Sequence, residues 1–207
     1  IVDGPGLRMT VFVQGCLLGC PGCQNPQTHD LNGGTEAAAE DILEKFCADP
    51  LLAGITFSGG EPFLQPEPLL WLAREVHARG RNVMSFSGYT FEQLMEKSLK
   101  NPPIRGLLDE LDALVDGPYI EKLRNIDLLY RGSENQRYLK RISTGSGKRG
   151  WPDTASADLM PGTRKGGNSI RNFRPFFTAG RGREGKGRFI TGSLPCTEER
   201  GYWTMLM

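Results

Sequence analysis

No run of apolar residues in this sequence approaches the roughly 18 to 20 that a bilayer-spanning helix needs. The N-terminus lacks the basic-then-apolar pattern of a secretory leader, so a cytosolic protein is expected. Net charge is nearly absent, at +1 from 25 Lys and Arg against 24 Asp and Glu. At 207 residues the chain is too short for two full catalytic domains, which favours one core. Hydrophobic residues at 38% support a buried core, while 27 Gly, 14 Pro and a mean hydropathy of -0.37 assign part of the chain to loop. The sequence opens on Ile1 rather than Met, so a short natural piece with room for a strand is expected ahead of it.

The small net charge hides an asymmetry. Residues 1–142 hold 14 Lys and Arg against 19 Asp and Glu, a net of -5, and residues 143–207 hold 11 against 5, a net of +6. That tail carries 12 of the glycines, in runs such as GTRKGGN and GRGREGKGR, with no helical or strand period. Its apolar residues, among them Phe173, Phe176, Phe177, Trp203 and Met205, are too scattered for a second core. The expected organisation is a domain over 1–142 and an irregular, basic, disordered tail over 143–207. Arg181, Arg183, Lys186 and Arg188, spaced by glycine, leave open an electrostatic RNA-binding reading, which is the weaker one because such stretches more often only solvate the chain.

Three of the five cysteines, Cys16, Cys20 and Cys23, fall within eight residues as CxxxCxxC. The odd count, the missing leader and the crowding argue against a disulfide framework and for a metal site. Thiolates suit zinc or an iron–sulfur cluster. Three of them leave one iron of a cluster open to a small molecule, whereas His29, six residues after Cys23, would complete a structural zinc site. Cys47, on an apolar helix face, and Cys196, in the tail, are not expected to be ligands.

Alternation in RMTVFVQ (8–14) predicts a strand that feeds the cysteine loop. A helix is expected from an N-cap at Thr35 to Cys47, with Glu36 and Lys45 matching its dipole. AGITFS (53–58) reads as a buried strand ending in the SGGEP turn (58–62). A helix from about Pro68 to Arg79 places Leu69, Leu72, Ala73 and Val76 on one stripe and stops at Gly80, with His77 on its solvated side. NVMSFS (82–87) is a third strand, Thr90 with Gln93 a capping box, 104–111 a short helix and DALVDG (112–117) a fourth strand. Strands alternating with helices imply a parallel α/β sheet or a partial barrel, whose chemistry gathers at the C-terminal strand ends. The cysteine loop, SGGEP, SGYT and VDGP should therefore share one mouth. Adjacent glycines in SGGEP let backbone approach a ligand, and Glu61 offers an acceptor for an ammonium group. Each of SGGEP, SGYT, VDGP and DGPG (3–6) also reads as an ordinary turn.

CLLGCPGC (16–23) followed by SGGEP resembles the radical S-adenosylmethionine superfamily. VDGPGLRMTVFVQGC (2–16) is similar to the opening of its glycyl-radical-enzyme activating group. VDGPYIEKLRN (115–125) and YRGSENQRYL (130–139) most resemble the activators of anaerobic ribonucleoside-triphosphate reductase. Gly22 stands where the superfamily usually has an aromatic residue, and CPGCQN is similar to the local form in the reductase activators. The resemblance ends near residue 142.

It implies a small partial (β/α) barrel of the radical S-adenosylmethionine type. It further implies one 4Fe-4S cluster on Cys16, Cys20 and Cys23, with S-adenosyl-L-methionine chelating the open iron. Reductive cleavage of that cofactor would yield a 5'-deoxyadenosyl radical that takes a hydrogen atom from a glycine of the partner reductase. Ser58, Gly59, Gly60 and Glu61 are then expected at the methionine amino group, and Ser87, Tyr89 and Asp116 at the ribose and carboxylate. Asp3, Gly4, Pro5, Gly6 and Asn25 are expected at the partner's glycine loop. An electron donor such as flavodoxin is implied, with no membrane and no nucleic acid. An activator of a formate-lyase-type glycyl radical enzyme remains the alternative.

Overall fold

The computed structural model describes residues 3–143, 149–151 and 204–206. Its elements run β1 (Arg8–Val13), β2 (Glu36–Ala38), α1 (Ala39–Cys47), β3 (Gly54–Gly59), α2 (Pro66–Ala78), β4 (Asn82–Phe86), α3 (Phe91–Ser98), α4 (Pro102–Glu110), β5 (Ala113–Asp116), β6 (Arg137–Lys140), β7 (Ile142–Ser143), β8 (Arg149–Gly150) and β9 (Thr204–Leu206). The central sheet has the order β1-β3-β4-β5-β6. The first four strands are parallel, with Val11 opposite Phe57 and Phe57 opposite Ser85, and β6 runs antiparallel to β5.

Sequential order with right-handed crossovers sends the helical connections to one face of the sheet. Val11, Val13, Ile55, Phe57, Val83, Leu114 and Leu139 point to that face and form one core with α1, α2, α3 and α4. Leu69, Leu72, Ala73 and Val76 of α2 are fully buried there, as the sequence stripe requires. Burying each Leu or Val of such a set contributes about 1.5–3 kcal/mol. The alternate residues Met84, Ala113, Val115 and Tyr138 form a second, smaller cluster on the opposite face, joined by Phe86 and Tyr130. That face carries no helix and looks into the cleft described below.

Two expectations are corrected, and one strand was not foreseen. The helix of 35–47 begins only at Ala39, because Glu36–Ala38 pairs antiparallel with Thr204–Leu206 and Ala38 caps α1 without a side-chain hydrogen bond. A partner more than 160 positions away overrides the local N-cap signal of Thr35. β6 was not anticipated, since four residues offer too little alternation to register as a strand. His77 is not simply solvated: Nδ1 lies 3.0 Å from Glu110 Oε2 and Nε2 2.9 Å from Asp112 Oδ2. The expected boundary at 142 is crossed by the β7–β8 hairpin, and Trp151 packs on the core with its ring 5.4 Å from that of Phe91. Cys196 and the arginine–glycine runs of the tail lie outside the described residues. Among the described residues no helix is long and apolar enough to cross a membrane.

His77 joins the end of α2 to the end of α4 and the start of β5, and its bond to Asp112 raises its pKa, with burial opposing. A group whose pKa is raised on folding stabilises below its unfolded value and loses that contribution as pH passes the folded value. His77→Gln is therefore expected to cost most stability near pH 6 and progressively less at alkaline pH. Denaturant midpoints of the two proteins across pH 6 to 9 measure this, and a pH-independent gap would remove the imidazolium from the argument.

Candidate functional site

The cysteine loop leaves β1 and returns through a short 3-10 turn at Pro26–Thr28. It is closed at its base by Gly15 N–H on Thr28 O (2.9 Å) and Cys16 N–H on His29 O (3.1 Å). Cys16, Cys20 and Cys23 are free thiols, each partly exposed. Burial pushes the Cys16 thiol up, the backbone at Leu18 pulling it partly back and the Glu61 charge adding to the rise. A thiolate there gains from a metal that displaces its proton. Among the described residues no three Cys, His, Asp or Glu side chains already stand at metal-binding geometry, with or without His29. The fit to a cluster rests on donor chemistry: three soft thiols on one anchored loop, with the Asn25 amide donating to Cys23 Sγ at 3.4 Å. Cys47, at the last turn of α1, is disulfide-bonded, which the argument against disulfides did not foresee, and it takes no part in the loop.

β3 delivers SGGEP beside this loop. Gly60 N–H donates to Val13 O (2.7 Å) and Glu61 N–H to Gly15 O (2.8 Å), so the turn is stitched to the end of β1. A side chain on Gly60 would run into the Gly15 and Thr28 carbonyls, which is why only glycine lets the two loops meet.

Glu61 turns inward. It is 1% exposed, accepts from Phe63 N–H (3.1 Å) and Ser87 Oγ–H (2.9 Å) at Oε1, and accepts from Gly88 N–H (2.9 Å) at Oε2. Burial drives its pKa up to about 7 against the pull of those donors. Its carboxylate thus ties the end of β3 to the Ser87–Gly88 turn after β4.

These loops border a cleft of ≈ 740 Å³. Of the residues expected from sequence, Asp3, Cys23, Asn25, Ser58, Gly59, Gly60 and Ser87 line it, together with Phe12 and Phe86 from the helix-free face of the sheet. Cys16, Cys20, Glu61, Tyr89 and Asp116 do not. Asp116 is fully buried, bonded to Arg137 and to the Phe91 amide at the start of α3. Those bonds, with Glu92, push the Arg137 pKa further up. Tyr89 lies under Lys97, whose Nζ is 4.3 Å from the ring centre. Gly4 packs on Met84 and Arg8, and Pro5 and Gly6 are exposed outside the lining. Arg8 holds this turn by donating to Thr56 Oγ1 (2.7 Å) and Pro5 O (3.3 Å), while Thr56 donates to Asp3 O (2.7 Å).

Sequence reasoning missed the other wall. Tyr119, residues 124–132 and Gln136, all from the excursion between β5 and β6, line the cleft opposite the strand ends. Polar side chains shape this excursion. Gln136 Oε1 accepts from Gly132 N–H (2.9 Å) and Ser133 N–H (3.2 Å), its Nε2 donates to Gly117 O (3.1 Å), and Asn135 Nδ2 donates to Pro118 O (2.7 Å). The usable signal was GSENQ itself, amide side chains packed between a glycine and a strand. Tyr130 adopts φ 62°, the one left-handed non-glycine among the described residues, with its ring 5.5 Å from that of Tyr138.

Because three donors converge on one buried carboxylate, Glu61→Ala leaves three groups unsatisfied, at about 1–3 kcal/mol for each one that water cannot reach. Exchange of the Gly88 amide is expected to speed up by one to three orders of magnitude. Hydrogen-exchange mass spectrometry over the 84–91 peptide reads this, and unchanged protection would show that the turn does not depend on Glu61.

Comparison with known proteins adds the lineage. The family model described as 4Fe-4S single cluster domain matches residues 2–139. The anaerobic ribonucleoside-triphosphate reductase-activating protein of Salmonella typhimurium is 35% identical over 146 residues, 66% of this chain and 90% of that protein. Its namesake in Escherichia coli (strain K12) is 34% identical over 145 residues with the same coverage. The pyruvate formate-lyase-activating enzyme of Clostridium pasteurianum is 33% identical over 166 residues, 76% of this chain and 58% of that enzyme. The matched span holds the thiol loop, the stitched SGGEP turn and all but the last residue of the five-stranded sheet, and the chain belongs to the 4Fe-4S single cluster domain family.

Proposed function

We propose that this protein is a radical S-adenosylmethionine activase that generates the glycyl radical of anaerobic ribonucleoside-triphosphate reductase. The observation that carries the reading is the meeting of the three-thiol loop and SGGEP at one end of the sheet, on a cleft with room for a cofactor. When bound, a reduced 4Fe-4S cluster with S-adenosylmethionine on its open iron supplies a 5'-deoxyadenosyl radical able to abstract hydrogen from a glycine Cα. Cys16, Cys20 and Cys23 would hold the cluster. The backbone at Ser58, Gly59 and Gly60 faces the cleft and would receive the methionine end. Ser87 would serve through its contact with the cleft, and Glu61 by fixing the Ser87–Gly88 turn. Phe12, Phe86 and Tyr130 supply an apolar wall that excludes water from a reactive species. Asp3 and Asn25, on the lining, would meet the partner's glycine loop. The electron would come from a donor such as flavodoxin, and the five-stranded sheet would be an arc of a (β/α) barrel.

Coverage supports the reductase over the formate-lyase reading. The chain spans 90% of the Salmonella reductase activator but 58% of the clostridial formate-lyase activator. We assign the chemistry to residues 1–142, since the hairpin and Trp151 add packing on Phe91 and no cleft lining. Ending the chain after Ile142 is expected to keep the cluster and cofactor cleavage. The truncation removes the Phe91–Trp151 contact, the β7–β8 hairpin and the strand paired with β2, so Tm is expected to fall by more than the roughly 2–4 °C that one aromatic contact of about 1 kcal/mol accounts for. Loss of the cluster on truncation would overturn the boundary.

After anaerobic reconstitution with iron and sulfide, Cys16→Ala, Cys20→Ala and Cys23→Ala are each expected to abolish iron retention and S-adenosylmethionine cleavage together. Cys47→Ala should leave both nearly intact. A purified protein holding one zinc and no sulfide would refute the reading. Activation of a formate-lyase-type enzyme in preference to the reductase would reassign the partner.

A further inference from the structure

The loop that carries the thiols is touched by an acid from the far wall of the cleft. Cys20, Pro21, Gly22 and Cys23 form a tight turn closed by Cys23 N–H on Cys20 O at 3.1 Å, with Gly22 at φ 71°. Pro at the second position and a left-handed glycine at the third are the marks of a type II turn. The turn places two of the thiols at its two ends. A Cβ built on Gly22 would lie 2.9 Å from Glu121 Cδ and 3.0 Å from its Oε1, so the Glu121 carboxylate rests directly on the bare face of that glycine. Glu121 opens a short 3-10 turn, Glu121–Leu123, on the excursion between β5 and β6. That excursion leans on the cysteine loop a second time where Gly132 meets Gln24 and Tyr119. Gly22 is therefore needed twice, for its backbone and for the space it leaves to the acid.

We propose that Glu121 is a positioning residue for charge: its carboxylate, seated on the turn between Cys20 and Cys23, lowers the reduction potential of the cluster that the turn carries. One-electron reduction takes the cluster from the 2+ to the 1+ state and adds one negative charge next to a fixed negative charge. Coulomb repulsion opposes that step. The carboxylate is exposed, so the effect is moderated by water and screened by salt. The effect makes the reduced cluster a stronger donor, which is the direction that cleavage of a sulfonium bond demands. This inference rests on the cluster reading above.

The test is a dithionite titration with redox mediators on the reconstituted full chain, followed by electron paramagnetic resonance of the 1+ state. Glu121→Gln is expected to hold the same iron and sulfide as wild type and to show a more positive midpoint, the gap narrowing as salt rises from 0.05 to 0.5 M. Glu134→Gln removes an acid from the same excursion whose side chain is bonded to Asn125 instead, and should shift the midpoint less. Equal midpoints for wild type and Glu121→Gln at low salt overturn the inference, as does a shift in Glu134→Gln of the same size. Should Glu121→Gln fail to load, Glu121→Asp, which keeps the charge, and Glu121→Ser, which removes it, make the same comparison. Absence of any cluster in wild type strikes the cluster reading instead, so the two failures are distinguishable.

Discussion

A carboxylate that is almost wholly buried can stay ionised only where donors replace the water it has lost. Glu61 finds them on two separate strand ends, at the Phe63 amide after β3 and at Ser87 and Gly88 after β4. Its own amide is held by Gly15 at the end of β1. One residue thereby fixes the relative positions of three strand ends, and those ends carry the thiol loop, the glycine turn and the SGYT turn. Removing the acid would leave most of the hydrophobic core of the helix-covered face unchanged, because Phe63 alone among its donors belongs to that core. The interaction governs the shape of the site rather than the existence of the fold.

The sheet makes such a site available through its strand order. Parallel strands laid down in sequence send their helices to one side, and the other side is left to small and aromatic side chains and a polar stripe of Arg8, Thr56 and Ser58. An uncovered parallel sheet is rare in water. Here the excursion between β5 and β6 comes back over it, with Tyr130 stacked on Tyr138 and polar side chains pinning the backbone. The cleft is the space between that excursion and the strand ends.

What was legible in the sequence follows from this division. The helix-facing half obeys local periodicities, so the stripe of α2, the alternation of β1, the Thr90–Gln93 capping box and the parallel character of the sheet could all be read directly. The thiol loop and SGGEP were readable as motifs because their chemistry is local. Asp116 was assigned to ligand contact by its place at a strand end, and in the structure it accepts from the Phe91 amide at the start of α3, a helix earlier in the chain, while pairing with Arg137. Those partners lie 21 and 25 positions away, beyond the reach of a local pattern. His77 and the start of α1 fail for the same reason: their partners are distant in sequence, and no pattern on their own element announces them.

The far wall of the cleft was the least legible part, and its physics explains why. Its conformation is set by amide side chains bonding to backbone, with Gln136 alone making three such bonds, and by an ion pair between Arg137 and Glu92. Such a wall leaves no hydrophobic period to detect. The two walls of the cleft differ in kind: the strand ends tied by Glu61 present Ser58, Gly59 and Gly60, while the excursion presents larger side chains, Arg124, Asp127, Tyr130 and Arg131 among them. A loop stapled by a few polar bonds can change its exposed residues without disturbing the core.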